Sequence, residues 1–353
     1  MTVKIGIIGI GFMGMTHFSA AKSLKSCEVA AISTRNEKKL AGDWSDIQGN
    51  FGPRGDAKTD LNGIKRYANY RDLLADPEID LVDICLPTDK HERVAIDALK
   101  AGKHVLLEKP IAIELEAAER ILAAAKEAGK LLMVAQVLPF FPEFRWVRET
   151  VQSGRYGKLL AGSFRRVIAK PDWSADMSDF RKLGGWGIDL HIHDNHYISL
   201  LCGTPKKVFS RGLLAEGFVN HVCTQYVYDD PDLTVSCISG GIAAPALKFA
   251  QSFELFLEKA TMQFDVGTYG DEWLINRPLT LIDSEGGITH PNPGGGGEWY
   301  AAFAEEISAA VAGVQAGQAP QELSGELACA ALRLCYAEAK SIETGELVEV
   351  GGT

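Results

Sequence analysis

The sequence predicts an α/β fold of two domains, the first a doubly wound parallel-sheet domain and the second α+β on a large, mostly antiparallel open sheet. Three observations carry this. A glycine-spaced turn joins an apolar strand to a helix near the start. Strands and helices then alternate up to about residue 130, and beyond it strand segments follow one another across short Gly, Pro and Asp turns. The 353 residues exceed what one core usually fills, which places a first domain at 1–128 and a second at 129–353.

Val3–Ile8 is an apolar, β-branched run suited to a strand buried on both faces. Gly9, Gly11 and Gly14 then complete Gly-x-Gly-x-x-Gly before a helix over 15–25 and a second strand over 28–33. In that context the glycines supply a tight turn, close approach of backbone to a pyrophosphate, and close helix packing. The main chain at Phe12 and Met13 opens the helix, where amides face an anion. The first domain therefore reads as an N-terminal Rossmann dinucleotide-binding domain.

The end of the second strand carries Ser33, Thr34 and Arg35 and no carboxylate, so a cofactor bearing a 2′-phosphate, NADP(H), is favoured over NAD(H). Lys38 and Lys39 stand close by. Residues 42–63, rich in glycine and polar groups, read as a surface insertion. The rhythm resumes with a strand over 80–86, a helix over 91–101 and a strand over 104–107. Ligands of open α/β sheets lie beyond the carboxyl ends of the strands, which puts Pro87, Thr88, His91, Glu108, Lys109 and Pro110 on the cofactor side.

The segments GIGFMG, LPTDKH, AGKHVLLEKP and GGWGIDLHIHD occur in an order and spacing that resembles the glucose-fructose oxidoreductase / inositol dehydrogenase / MocA (Gfo/Idh/MocA) family over nearly the whole chain. The resemblance implies hydride transfer between a nicotinamide and a sugar, polyol or related hydroxy compound, with Lys109, Asp189 and His193 as the catalytic group and a Lys109–Pro110 bond that is often cis. It also admits two alternatives: a redox-neutral glycosidase using transient oxidation, and a cofactor-sensing regulator without turnover. Relatives often carry an Arg-Phe pair where this chain has Pro139-Phe140, so that substrate contact is not carried over.

The residues support the catalytic reading on their own chemistry. A desolvated lysine held before a proline can act on a substrate hydroxyl. If 187–201 is helical, Asp189 and His193 share one face, with His196 or Tyr197 one turn on. A histidine beside an aspartate can take the proton released when a hydroxyl is oxidised. Asp189, His193 and His196 could also ligate a metal, but the spacing is not His-Glu-x-x-His and no fourth ligand is evident, so no metal is expected. His191 and His196 read as packing residues. Trp173 is expected to face the substrate, with Trp186, Phe140 and Phe141 more often core, and one of Arg165 and Arg166 can face the cleft.

After residue 130 strands are expected over 134–137, 159–168, 207–214, 224–227, 234–239, 249–257, 261–266 and 279–283, with closing helices over 299–314 and 326–342. The glycine-rich stretch 291–298 is a connection or a lid. An exposed sheet face calls for cover, hence a homodimer or homotetramer through the second sheet. A net charge of −10 argues against a phosphate-backbone partner. Seven scattered cysteines without a Cys-x-x-Cys pair argue against a disulfide framework, and the longest later apolar run is too short for a bilayer, so a cytoplasmic enzyme is expected.

Overall fold

The computed structural model describes residues 2–49, 51–170 and 183–351. Its first sheet joins six strands: β1 (Val3–Ile8), β2 (Cys27–Ser33), β3 (Lys65–Tyr67), β4 (Leu81–Ile84), β5 (His104–Glu108) and β6 (Leu132–Ala135). They pair in parallel in the order β3-β2-β1-β4-β5-β6. Parallel pairing demands crossovers, supplied by α1 (Phe12–Ser23), α2 (Glu37–Leu40), α3 (Tyr70–Leu74), α4 (His91–Lys100) and α5 (Leu115–Ala128). Every residue of β4 and β6 is buried, as strands covered on both faces require. The order reverses between β1 and β4, which makes the carboxyl ends of these two strands the ligand crevice of the sheet.

Three expectations change here. The strand expected at 134–137 as the opening of the second domain is β6, the sixth parallel strand, paired with β5 in register Glu108↔Ala135. The compact units are Met1–Phe140 with Gly295–Cys329, and Phe141–Gly294 with Ala330–Thr353, so the expected break at 128/129 falls inside the first unit. Residues 42–63 are also more than a surface insertion. Trp44, Ile47 and Leu61 are buried in the first core, where the Trp44 ring meets Phe18 edge-on at 4.8 Å and its Nε1 donates to the Lys39 carbonyl at 2.9 Å.

The second unit opens with α6 (Pro142–Gln152), whose proline sits where a missing amide hydrogen costs nothing. It continues through β7 (Leu159–Ala169), α7 (Trp186–Asp189), α8 (Ile192–Cys202), β8 (Lys207–Ala215), β9 (Phe218–Val227), β10 (Thr234–Ala243), β11 (Leu247–Leu257), β12 (Ala260–Tyr269), β13 (Glu272–Asp283) and β14 (Ile288–Thr289). After α9 (Ala301–Ala316) and α10 (Gly325–Thr344), the short β15 (Val348–Glu349) returns to the same sheet. The nine strands run β14-β13-β12-β11-β7-β10-β9-β8-β15, antiparallel except for the β7–β10 pair. The largely antiparallel sheet expected from the turn residues is therefore present, with longer strands.

One face of this sheet packs its aromatics, Phe164, Phe253 and Phe264, towards Phe144 of α6 and Tyr197 of α8. Period-2 alternation sends the other side chains away. Leu213, Trp273 and Ile275 remain 54%, 53% and 60% exposed, with Phe209, Ile238 and Phe256 also exposed. Among the described residues no helix is long and apolar enough to cross a membrane.

Candidate active site

The chain forms two compact units. In the first, β1 delivers the chain into Gly9 at φ 98°, and Gly9 N–H donates to the Ser33 carbonyl at 2.8 Å. A Cβ on Gly9 would lie 2.5 Å from the Cys85 carbonyl oxygen, and one on Gly14 would lie 1.9 Å from the Gly9 carbonyl oxygen. Neither backbone atom can yield, so both positions require glycine. At Gly11 a Cβ would meet nothing within 4 Å, leaving open space beside a helix start that no side chain caps. A cradle crowded behind and open in front, with first-turn amides unclaimed by a cap, fits a dinucleotide pyrophosphate.

The other predicted nucleotide contacts fall around this turn. The Phe12 ring lies edge-on to Phe51 at 4.6 Å, so it is fastened to the insertion and Phe12 offers a ligand its main chain. Met13 and Thr34 are half-buried, Ser33 is buried and Arg35 is exposed. Lys39 reaches back to the Ile10 carbonyl at 3.0 Å and lies 3.7 Å from Asp46, tying the glycine turn to the insertion. Pro87 is exposed and Thr88 half-buried at the end of β4.

From 105 to 112 every residue is buried except Lys109, and the Lys109–Pro110 bond is cis, as the resemblance implied. Two residues expected to face a cofactor serve this segment instead. The Glu108 carboxylate accepts the Lys109 N–H at 3.0 Å and lies 3.1 Å from His17 Nε2. His91 is fully buried, with Nδ1 2.9 Å from the Pro110 carbonyl and Nε2 2.8 Å from the Leu86 carbonyl. Burial lowers the His91 pKa, so its ring is neutral at neutral pH.

Sequence reasoning missed the cluster beneath. His17 of α1 is fully buried, with Nδ1 2.9 Å from Asp83 and 3.6 Å from Cys85 Sγ, and Nε2 3.9 Å from Glu306 of α9. Burial alone would lower the His17 pKa, but the Asp83 carboxylate, helped by Cys85, lifts it well above the ordinary value. Burial pushes the Glu306 carboxyl well up, and Glu108 and Asp83 add to this while His17 opposes it. The readable signal was an aspartate inside the apolar strand LVDI, because a buried carboxyl group calls for a polar partner.

In the second unit, Gly185 at φ 75° turns the chain into α7, which packs against β9 and β10. The expected continuous helix over 187–201 is interrupted, because α7 ends at Asp189 and α8 begins at Ile192. Asp189 and His193 therefore do not share the face of one helix. They share something else: from 184 to 200 every residue is buried except these two.

Three of the remaining polar side chains of that stretch, those of His191, Asp194 and Asn195, are engaged below the surface. Asp194 accepts from Arg166 Nε at 3.0 and 3.2 Å, and Arg166 Nη1 donates to Gln251 at 2.9 Å. His191 Nε2 lies 3.0 Å from Glu338 of α10, and Asn195 donates to Glu338 at 2.7 Å while accepting from Tyr226 at 2.7 Å. Burial would lower the His191 pKa, but Glu338 raises it on balance. His196 is fully buried and burial pushes its pKa down to about 3, so it stays neutral in the core.

The remaining substrate-side candidates fare as follows in the fold. Trp186 and Phe140 are core residues, Trp186 being 1% exposed. Arg166 is buried with Asp194, and Arg165 pairs with Asp265 at 3.0 Å. Trp173 lies outside the described residues.

Comparison with known proteins agrees with this division of the chain. Residues 3–136 match a family model described as an oxidoreductase family with an NAD-binding Rossmann fold. The chain is 28% identical to myo-inositol 2-dehydrogenase of Thermotoga maritima over 211 residues, 60% of this chain and 58% of that protein. It is 34% identical to 1,5-anhydro-D-fructose reductase of Ensifer adhaerens over 144 residues, 40% of this chain and 43% of that protein. The matches thus span little more than half of these relatives at most. A solved levoglucosan dehydrogenase in complex with NADH has the same fold over the whole of both chains, with a TM-score of 0.80 at 18% identity.

Proposed function

Because the chain belongs to the Gfo/Idh/MocA oxidoreductase family, we propose that it is an NAD(P)-dependent oxidoreductase acting on a CH–OH group of a sugar, polyol or related hydroxy compound. One observation carries the reading. In two segments of otherwise buried residues, 105–112 and 184–200, the residues that are only half-buried are Lys109, Asp189 and His193.

The nicotinamide, when bound, supplies the hydride acceptor or donor. The chain's own residues do the rest. Main-chain amides at Phe12 and Met13 hold the diphosphate, with Pro87 and Thr88 along the crevice. Ser33, Thr34 and Arg35 receive a ribose 2′-phosphate, which favours NADP(H) over NAD(H). His193 takes the hydroxyl proton during oxidation and returns it during reduction. The Lys109 ammonium polarises the reacting oxygen, and Asp189 orients substrate or imidazole. Seven free cysteines suit a reducing cytoplasm, and the exposed apolar face of the second sheet suits a homodimer or homotetramer.

The test is a titration with NADPH and NADH, followed by absorbance at the reduced-nicotinamide band with a panel of sugars and polyols. NADPH is expected to bind more tightly, and Arg35→Ala to weaken it by about 10-fold or more while sparing NADH. Lys109→Ala is expected to lower turnover by at least about 100-fold with NADPH affinity little changed. Tight cofactor binding without turnover of any compound, unaffected by Lys109→Ala, would replace the enzyme by a cofactor sensor.

A further inference from the structure

A catalytic lysine on a loop is only as well placed as its backbone, and here the backbone of the segment 108–110 is held from two sides. On one side Glu108 accepts the Lys109 N–H at 3.0 Å and anchors to His17. On the other, His91 stands between two chain ends: Leu86, just past β4, and Pro110, just past β5, whose carbonyls lie 2.8 and 2.9 Å from Nε2 and Nδ1. Both partners are acceptors only, and a neutral imidazole has a single N–H. The ring therefore donates to one carbonyl at a time.

We propose that His91 is a positioning residue that holds the Lys109–Pro110 segment by donating from Nδ1 to the Pro110 carbonyl. This rests on the reading of Lys109 as the residue that acts on the substrate oxygen. His91 opens α4, and its full burial leaves no surface for a cofactor contact by its side chain. The Pro110 carbonyl belongs to the residue next to Lys109, so a donor fixed there limits rotation of the whole turn. The Leu86 contact, at the β4 end, bears on the cofactor side of the crevice and not on the lysine. A displacement of about 1 Å at a reacting group can cost about 100-fold in rate, which makes a single buried hydrogen bond at this position consequential.

Two conservative variants separate the bonds. The amide nitrogen of asparagine falls near imidazole Nδ1 and that of glutamine near Nε2, so His91→Asn keeps the Pro110 bond and His91→Gln the Leu86 bond. Both lose one buried contact and should melt within about 3 °C of each other. NADPH affinity should stay within about threefold of the parent in both, while kcat falls about 30-fold in His91→Gln and less than about fivefold in His91→Asn. Equal kcat values, or a loss of NADPH affinity that tracks the loss of kcat, would overturn the inference; the second result would restore His91 as a cofactor contact. A parallel Lys109→Ala that kept its turnover would instead remove the premise about the lysine, and this inference with it. The parent protein gives an independent check: with nitrogen-15 histidine labelling, His91 should show the Nδ1–H tautomer, and an Nε2–H tautomer would refute the assignment.

Discussion

The segment around Lys109 and the segment around His193 both carry a titratable, half-buried side chain on a buried polar bed, but the beds are built on different electrostatic terms. Beneath Lys109, the imidazole of His17 faces Asp83, Glu108 and Glu306, an excess of acid that draws protons in. Beneath His193, Arg166 is matched to Asp194 and His191 to Glu338, with Asn195 hydrogen-bonded to Glu338 and Tyr226. His196 is neutral beside them. The difference is that a surplus of acid is stabilised by protonation, whereas in the second bed the Arg166–Asp194 pair holds without it and only His191, beside Glu338, is drawn towards a proton. A network of the first kind responds to pH from the alkaline side, and a buried neutral imidazole responds from the acid side.

The largest effect that could break this comparison is catalytic. His193→Ala is expected to lower kcat about 1,000-fold while the melting temperature and NADPH affinity hardly move, because its neighbours 191, 194 and 195 carry the packing. Loss of fold in that variant would mean that the bed and the reactive side chain are one unit. The check is a turnover assay beside a thermal melt.

A middle-sized effect concerns the acid surplus. The pKa values of His17 and Glu306 are raised in the fold above ordinary values of 6.5 and 4.5, so their contribution to stability is complete at low pH and is lost as pH rises through the folded values. Glu306→Gln removes one proton-binding group and should raise the melting temperature near pH 9 by about 5 °C, with little change near pH 5. An alkaline limb identical to that of the parent would show that Glu306 is not part of the surplus.

The smallest effect sits in the second bed. The His196 pKa is lowered from 6.5 to about 3, so its contribution is complete above pH 6.5 and is lost as pH falls towards the folded value. His196→Leu should remove part of the acid limb, raising the melting temperature near pH 5 by about 3 °C and leaving it nearly unchanged near pH 8. A gain at pH 8 as large as at pH 5 would point to packing and not to titration.

How much of this could be read from residues alone follows from the range of the signals. The glycine turn, its strand and its helix are local patterns, and Gly9 and Gly14 prove to be positions where a neighbouring carbonyl oxygen forbids a side chain. Lys109, Asp189 and His193 were legible as titratable residues beside turn formers, and they are the residues that remain accessible. The helix break at Leu190 was not, since no proline stands there and the strands that α7 packs on, β9 and β10, come later in the chain. Likewise nothing near Glu306 in the sequence indicates that His17, far away along the chain, will lie beside it. Periodicity gave β6 its type but not its sheet, because partner choice is non-local.

The helix Ala301–Ala316 contributes Phe303, Ile307, Ala310 and Val311 to the same buried cluster as Ile5 and Ile7. The nucleotide-binding half of the molecule is thus discontinuous in the chain. On the ribosome its six strands are synthesised long before the helix that completes their core emerges, and the intervening sheet must be made first. The first six strands have to wait with an unfinished apolar flank, so the order of translation makes maturation of the cofactor cradle depend on the chain having been made through Ala316.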